Sequence, residues 1–93
     1  MSPISMCERN VLVVDRSMAS AMFLEVRLVQ GGYVVQTAHS LEHALELAHK
    51  APLDDALIDV CFDGADLIVG ALKARQIPFI YHAGSHGRTA RHS

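Results

Sequence analysis

Short apolar runs alternate with longer amphipathic segments along most of the chain, and this alternation constrains the fold more than any other feature. The run VLVV at 11–14 is typical of a strand buried on both faces. Ser17 and Ser40 are suited to cap the helices that follow them, while Gly31 and Pro52 are suited to end those helices. The pattern predicts strands over 11–14, 33–37, 56–60 and 79–82, and helices over 18–30, 41–50 and 66–75. This order predicts an α/β domain with a doubly wound parallel sheet.

Length and composition narrow the class of protein further. A chain of 93 residues forms one domain at most, and an apolar share of 51% excludes intrinsic disorder. The net charge of −2 favours neither nucleic acid nor an anionic membrane as a partner. Cys7 and Cys61 show no paired spacing, and neither a membrane span nor a signal peptide is recognisable. We therefore expect a cytoplasmic protein with a domain over 10–84 and a polar, flexible tail over 85–93.

Two acidic residues, Asp15 and Asp59, stand at the ends of predicted strands. In open parallel sheets, ligands and chemistry lie beyond the carboxyl ends of the strands, so two neighbouring strands would bring these carboxylates together. Such a pair can share Mg²⁺ through its oxygens, or one member can accept a phosphoryl group. Alternatively, both acids only cap the turns that follow them. Their spacing alone leaves these alternatives open.

Three stretches together resemble the first, third and fourth strands of bacterial response-regulator receiver domains. They are VLVVDRS, DDALIDVCFDG and KARQIPFIYHAG, and the resemblance runs from about Asn10 to Gly84. It implies a flavodoxin-like receiver topology and a two-component phosphorelay function, with no enzyme activity of its own. It also implies that Asp59 accepts a phosphoryl group from a sensor histidine kinase or a phosphotransfer protein. Asp15, Asp59 and the backbone carbonyl of Cys61 would then bind Mg²⁺.

The first departure from the receiver pattern is Arg16, which replaces the second of two consecutive acids. A guanidinium group only donates hydrogen bonds and cannot ligate a cation. We expect Mg²⁺ binding to be weak or absent for this reason. We also expect Arg16 to form an ion pair with Asp15 or Asp59.

Two further departures concern the groups that contact the phosphoryl group. Ala83 occupies the position of a hydroxyl residue, and Ser85 is the nearest hydroxyl beyond it. The receiver pattern is truncated after the fourth strand, so no fifth strand supplies a lysine. These losses keep a second function open, namely a phosphorylation-independent pseudo-receiver that acts as a protein–protein interaction module. The bare edge of strand 79–82 also leads us to expect a homo-oligomer, a dimer or larger.

The remaining candidates favour ordinary structural roles. Met18, Met22 and Phe23 are expected in the core rather than on a partner surface. The six histidines are expected to be exposed or packed rather than to bind metal, since no cysteine or acid completes a persuasive ligand set. A hydrolase or nucleotide-binding enzyme on the same winding is the least supported alternative because the sequence carries no substrate motif.

Overall fold

A four-stranded parallel sheet forms the centre of the computed structural model, which describes residues 9–83. The elements are β1 (Arg9–Val14), α1 (Met18–Gln30), β2 (Tyr33–Ala38), α2 (Leu41–Lys50), β3 (Asp55–Asp59), α3 (Ala65–Ala74) and β4 (Phe79–His82). The strands lie in the order β2-β1-β3-β4, and each neighbouring pair is parallel. The predicted α/β fold with a flavodoxin-like strand order is confirmed. The predicted tail over 85–93 lies outside the described residues.

The two faces of the sheet carry cores of different size. Leu12 and Val14 point to one face, where a cluster of thirteen buried residues joins the sheet to α2 and α3. Val11 and Val13 point to the other face, where the only further buried member of their cluster is Ala21 of α1. This alternation within β1 is the two-residue period of a strand. Helices therefore pack on both faces, as in a doubly wound sheet.

Serine caps set the starts of the first two helices. The hydroxyl of Ser17 accepts a hydrogen bond from the Ser20 amide, and the hydroxyl of Ser40 accepts one from the His43 amide, both at 3.2 Å. Both helices begin and end where the sequence predicts. Helix α3 starts one residue earlier than predicted, after Gly64, which has a φ of +88° and provides no side-chain cap.

Several apolar side chains lie on a different side of their helix than expected. The predicted core residues Met18, Met22 and Phe23 are 64%, 59% and 62% exposed. Leu67, an apolar residue of α3, is 56% exposed as well. At about 100° per residue, the side of α1 that meets the sheet is instead formed by Ala21, Leu24 and Leu28. Helix α1 thus presents an apolar outer face.

A guanidinium group joins the two helices of the larger core. Arg75, which follows α3, donates hydrogen bonds to the carbonyl oxygens of Ala48 and Ala51 at 2.7 and 2.8 Å. Both acceptors belong to the last turn and C-cap of α2, where carbonyl groups lack helical partners. The contact fixes the end of α2 against α3. No helix within residues 9–83 has the length and apolar character needed to cross a lipid bilayer.

Candidate functional site

The carboxyl edge of the sheet brings three titratable residues into one row. Val14 of β1 pairs with Ile58 of β3, so Asp15 and Asp59 follow as the next residues of two adjacent parallel strands. Asp59 in turn pairs with His82, the last residue of β4. The two acids therefore lie at the same edge of neighbouring central strands, as expected.

These side chains share the face of the sheet that α1 covers. A strand alternates its side chains with a period of two, so Asp15 follows Val13 and Asp59 follows Leu57, both of which pack on that face. The exposed fraction is 0% for Asp15 and 2% for Asp59. Burial of two carboxylates in a small domain is costly unless hydrogen bonds or cations compensate their charge. Their remaining contacts therefore decide what the site can do.

Each acid uses one oxygen to hold the turn that follows it. Oδ1 of Asp15 accepts a hydrogen bond from the Ser17 amide at 2.9 Å, and Oδ1 of Asp59 accepts one from the Cys61 amide at 3.0 Å. The capping alternative therefore accounts for one oxygen of each carboxylate. Oδ2 of Asp15 is buried and accepts no hydrogen bond from the described residues. That oxygen remains available to a cation or a donor.

His82 is the residue of this site that local sequence patterns do not indicate. Its Nε2 lies 4.0 Å from Oδ2 of Asp15, and its side chain is 16% exposed. Strand β3 separates β4 from β1, so the imidazole extends across the end of β3, where Asp59 stands. The signal that could have identified it is strand register, because His82 ends β4 as Asp59 ends β3.

A second histidine supports the main chain at this edge. Nδ1 of His39, just after β2, lies 2.8 Å from the carbonyl oxygen of Asp15. A carbonyl oxygen only accepts, so Nδ1 carries the proton and donates. The Asp15 amide also donates to the carbonyl of Ala38 at 3.1 Å. Both contacts extend the β1–β2 pairing past the end of β1 and hold Asp15 in place.

The expected ion pair of Arg16 is not formed. Arg16 is exposed, and neither Asp15 nor Asp59 lies within ion-pair distance of it. Arg16 stands in the bend between β1 and α1, where the Ser17 amide turns the chain by donating to Asp15. The ring that approaches Asp15 is instead that of His82, whose Nε2 lies 4.0 Å from Oδ2 of Asp15. Ala83 is half-buried and carries no donor, and Ser85 lies outside the described residues.

The acids at the opposite edge have structural partners. Asp54 accepts a hydrogen bond from the Asn10 amide at 2.7 Å, and Asp55 forms an ion pair with Arg9 at 2.8 Å. The hydrogen bond and charge of Asp55 raise the pKa of Arg9. Of the acids in the DDALID segment, Asp59 alone stands at the carboxyl edge.

The oxygens expected to bind Mg²⁺ are of the chemical type that a hard cation prefers. No three His, Cys, Asp or Glu side chains in the described part of the chain are arranged to hold a metal ion. The expected site relies on two carboxylates and one main-chain carbonyl, that of Cys61. Oδ2 of Asp15, which accepts no hydrogen bond from the described residues, fits such a cation. Bound there, Mg²⁺ would supply positive charge beside Asp59.

Comparison with known proteins assigns no family to the chain: no protein-family model matches it, and no curated protein matches it significantly.

Proposed function

We propose that this domain is a receiver-type signalling module in which Asp59 accepts a phosphoryl group. The observation that carries the proposal is the row formed by Asp15 and Asp59 at the carboxyl edge of two adjacent central strands. The flavodoxin-like strand order supports it, because that edge is where such folds bind ligands. The Cys61 amide supports it too, because it orients the Asp59 carboxylate by one oxygen.

The proposed reaction transfers one phosphoryl group between two nucleophiles. An oxygen of the Asp59 carboxylate attacks phosphorus, a new P–O bond forms, and the bond from phosphorus to the donor breaks. With phosphohistidine as donor, the P–N electron pair leaves on the imidazole of the kinase or phosphotransfer protein. Asp15, Asp59 and the Cys61 carbonyl would hold Mg²⁺, which spreads the negative charge of the transferred group.

A phosphorylation-independent pseudo-receiver is the second candidate, and a specific observation favours it. Asp59 is only 2% exposed, and Ala83 and Arg16 replace two groups that a receiver ordinarily uses. Loss of one electrostatic contact to a developing charge commonly lowers a rate by about 10²–10³-fold. In this second function, the fold would present surfaces to partners and Asp59 would remain unmodified.

Incubation with acetyl phosphate and Mg²⁺, followed by intact-mass spectrometry, separates the two functions. The phosphorelay function predicts a single phosphoryl adduct that is absent in Asp59→Asn. Asp63→Asn is the matched control, since Asp63 is exposed in the turn that follows β3. An adduct that survives in Asp59→Asn, or no adduct in the wild-type protein, would exclude phosphoryl transfer to Asp59 and leave the pseudo-receiver.

The partners follow from the same proposal. A sensor histidine kinase or phosphotransfer protein would supply the phosphoryl group, and the outer face of α1 offers apolar residues for docking. A homo-oligomer would use β4, whose outward Ile80 and Tyr81 are 65% and 48% exposed. Strand β4 ends the sheet of the described residues, and a strand at a sheet edge can pair with another chain.

A further inference from the structure

The side chain that stands beside Asp59 in the sheet is His82. The two residues are partners in the β3–β4 register, and neighbouring parallel strands lie about 5 Å apart. The amide of Val60 donates to the His82 carbonyl at 2.8 Å, which extends the pairing by one step past Asp59. The position of His82 relative to Asp59 is therefore fixed by main-chain hydrogen bonds.

The imidazole points inward over the site. Strands β4 and β1 are separated by β3, about 10 Å across, yet Nε2 of His82 lies only 4.0 Å from Oδ2 of Asp15. The ring must therefore reach over the end of β3, where Asp59 is the last residue. A phosphoryl group on Asp59 would add oxygens in the space that Nε2 borders.

Four other basic groups of the described chain are less well placed. Arg16 is exposed and forms no ion pair with Asp15 or Asp59 in the described structure. Lys50 and Lys73 lie in the last turns of α2 and α3, which end at the opposite edge of the sheet, where β3 and β4 begin. His39 follows β2, which β1 separates from β3, and its Nδ1 already donates to the Asp15 carbonyl.

We propose that His82 binds the phosphoryl group of phosphorylated Asp59 by donating a hydrogen bond from its imidazole. The inference rests on the proposed function and gives His82 the role that Ala83 cannot fill. Nε2–H is a donor in the imidazolium ion and in one neutral tautomer, so the role does not depend on the charge of the ring.

A hydrogen bond to a charged group contributes enough to be measured. Its loss costs about 1.5–3 kcal/mol, which corresponds to a factor of about 10–100 in an equilibrium or a rate. His82→Phe should therefore lower the adduct level after a fixed incubation with acetyl phosphate by about tenfold to a hundredfold. His82→Gln keeps an amide donor and should retain most of the adduct.

The test compares wild type, His82→Phe, His82→Gln and the control His49→Phe by intact mass, with circular dichroism to verify folding. His49 is exposed near the end of α2 and should have no effect. If His82→Phe fails to fold, an NMR measurement on the wild-type protein still tests the inference. In protein with ¹⁵N-labelled histidine, acetyl phosphate should shift the Nε2 resonance of His82, and this shift should be absent in Asp59→Asn.

The outcomes separate this inference from the proposed function. An adduct in the wild type that is unchanged in His82→Phe, or an unshifted Nε2 resonance, overturns the role of His82 and leaves Asp59 as acceptor. A higher adduct level in His82→Phe also overturns it, because the ring then only blocks access to Asp59. No adduct in the wild type overturns both. Loss in His82→Phe with retention in His82→Gln supports the inference.

Discussion

Substitution of Gly64 by alanine should destabilise the domain through a close contact with Leu41. Gly64 has a φ of +88° and stands between the loop after Asp59 and the first residue of α3. A Cβ atom added there would lie 2.8 Å from both Cδ atoms of Leu41 and 3.3 Å from its Cγ. Rotation about χ2 cannot move all three atoms away, so Leu41 has to leave its packed position.

The expected loss in free energy of unfolding has two parts, and alanine substitutions at two other glycines help to separate them. A positive φ costs alanine about 1–2 kcal/mol, offset by about 0.4–1 kcal/mol from the stiffer unfolded chain. Gly32, with a φ of +94° and no atom near its added Cβ, should show this part alone, about 1 kcal/mol. Displacement of Leu41 adds about 1–3 kcal/mol, which gives about 2–4 kcal/mol for Gly64→Ala. Gly70, exposed within α3, should instead gain about 1 kcal/mol.

Urea unfolding followed by circular dichroism measures these differences in the free energy of unfolding. The expected order of stability is Gly70→Ala, wild type, Gly32→Ala and Gly64→Ala. If Gly64→Ala costs no more than Gly32→Ala, the contact with Leu41 is not tight and the reasoning fails. The comparison requires equal m-values, since a changed slope would report a changed unfolded state.

Three further predictions concern the helix junction, the buried acid and the sheet edge. Arg75→Met should lower the free energy of unfolding by about 1.5–3 kcal/mol, because two carbonyl groups of α2 lose their charged donor, and the exposed Lys73→Met should not. Asp15→Asn should raise the free energy of unfolding by about 1 kcal/mol, because it removes a buried charge whose Oδ2 accepts no hydrogen bond from the described residues. A destabilised variant would mean that nearby groups compensate the charge of the carboxylate. Ile80→Lys should shift sedimentation toward the monomer if β4 forms the proposed oligomer, and an unchanged profile would exclude that edge.

Local signals in the sequence predicted the elements well. Ser17 and Ser40 each accept the amide that a capping serine should accept, and the two helices behind them begin where predicted. The start of α3 was off by one because Gly64 begins that helix by backbone conformation, without a side-chain cap. The end of β3 at Asp59 rather than one residue later reflects the Cys61 amide, which turns the chain there.

Long-range features were harder to predict because they depend on register and on the side that each helix turns to the sheet. The sequence indicates that Asp15 and Asp59 end strands, but the place of His82 beside them follows only from the pairing of β3 with β4. An ion pair of Arg16 is expected because a positive side chain follows one of two convergent acids, yet Arg16 stands exposed in the bend after β1. Met22 is a further example: it is apolar but exposed, and no local feature of the sequence indicates that its side of α1 faces away from the sheet.

The unequal cores on the two faces of the sheet imply an order of local opening. Helix α1 is held by a cluster with three buried members, whereas α2 and α3 share one with thirteen. Amide hydrogens of α1 should therefore exchange with solvent through partial unfolding, at a lower free energy than those of β1, which is buried between both layers. Because α1 covers the face that carries Asp15 and Asp59, its transient release would be the least costly way to admit a reagent to the buried acids.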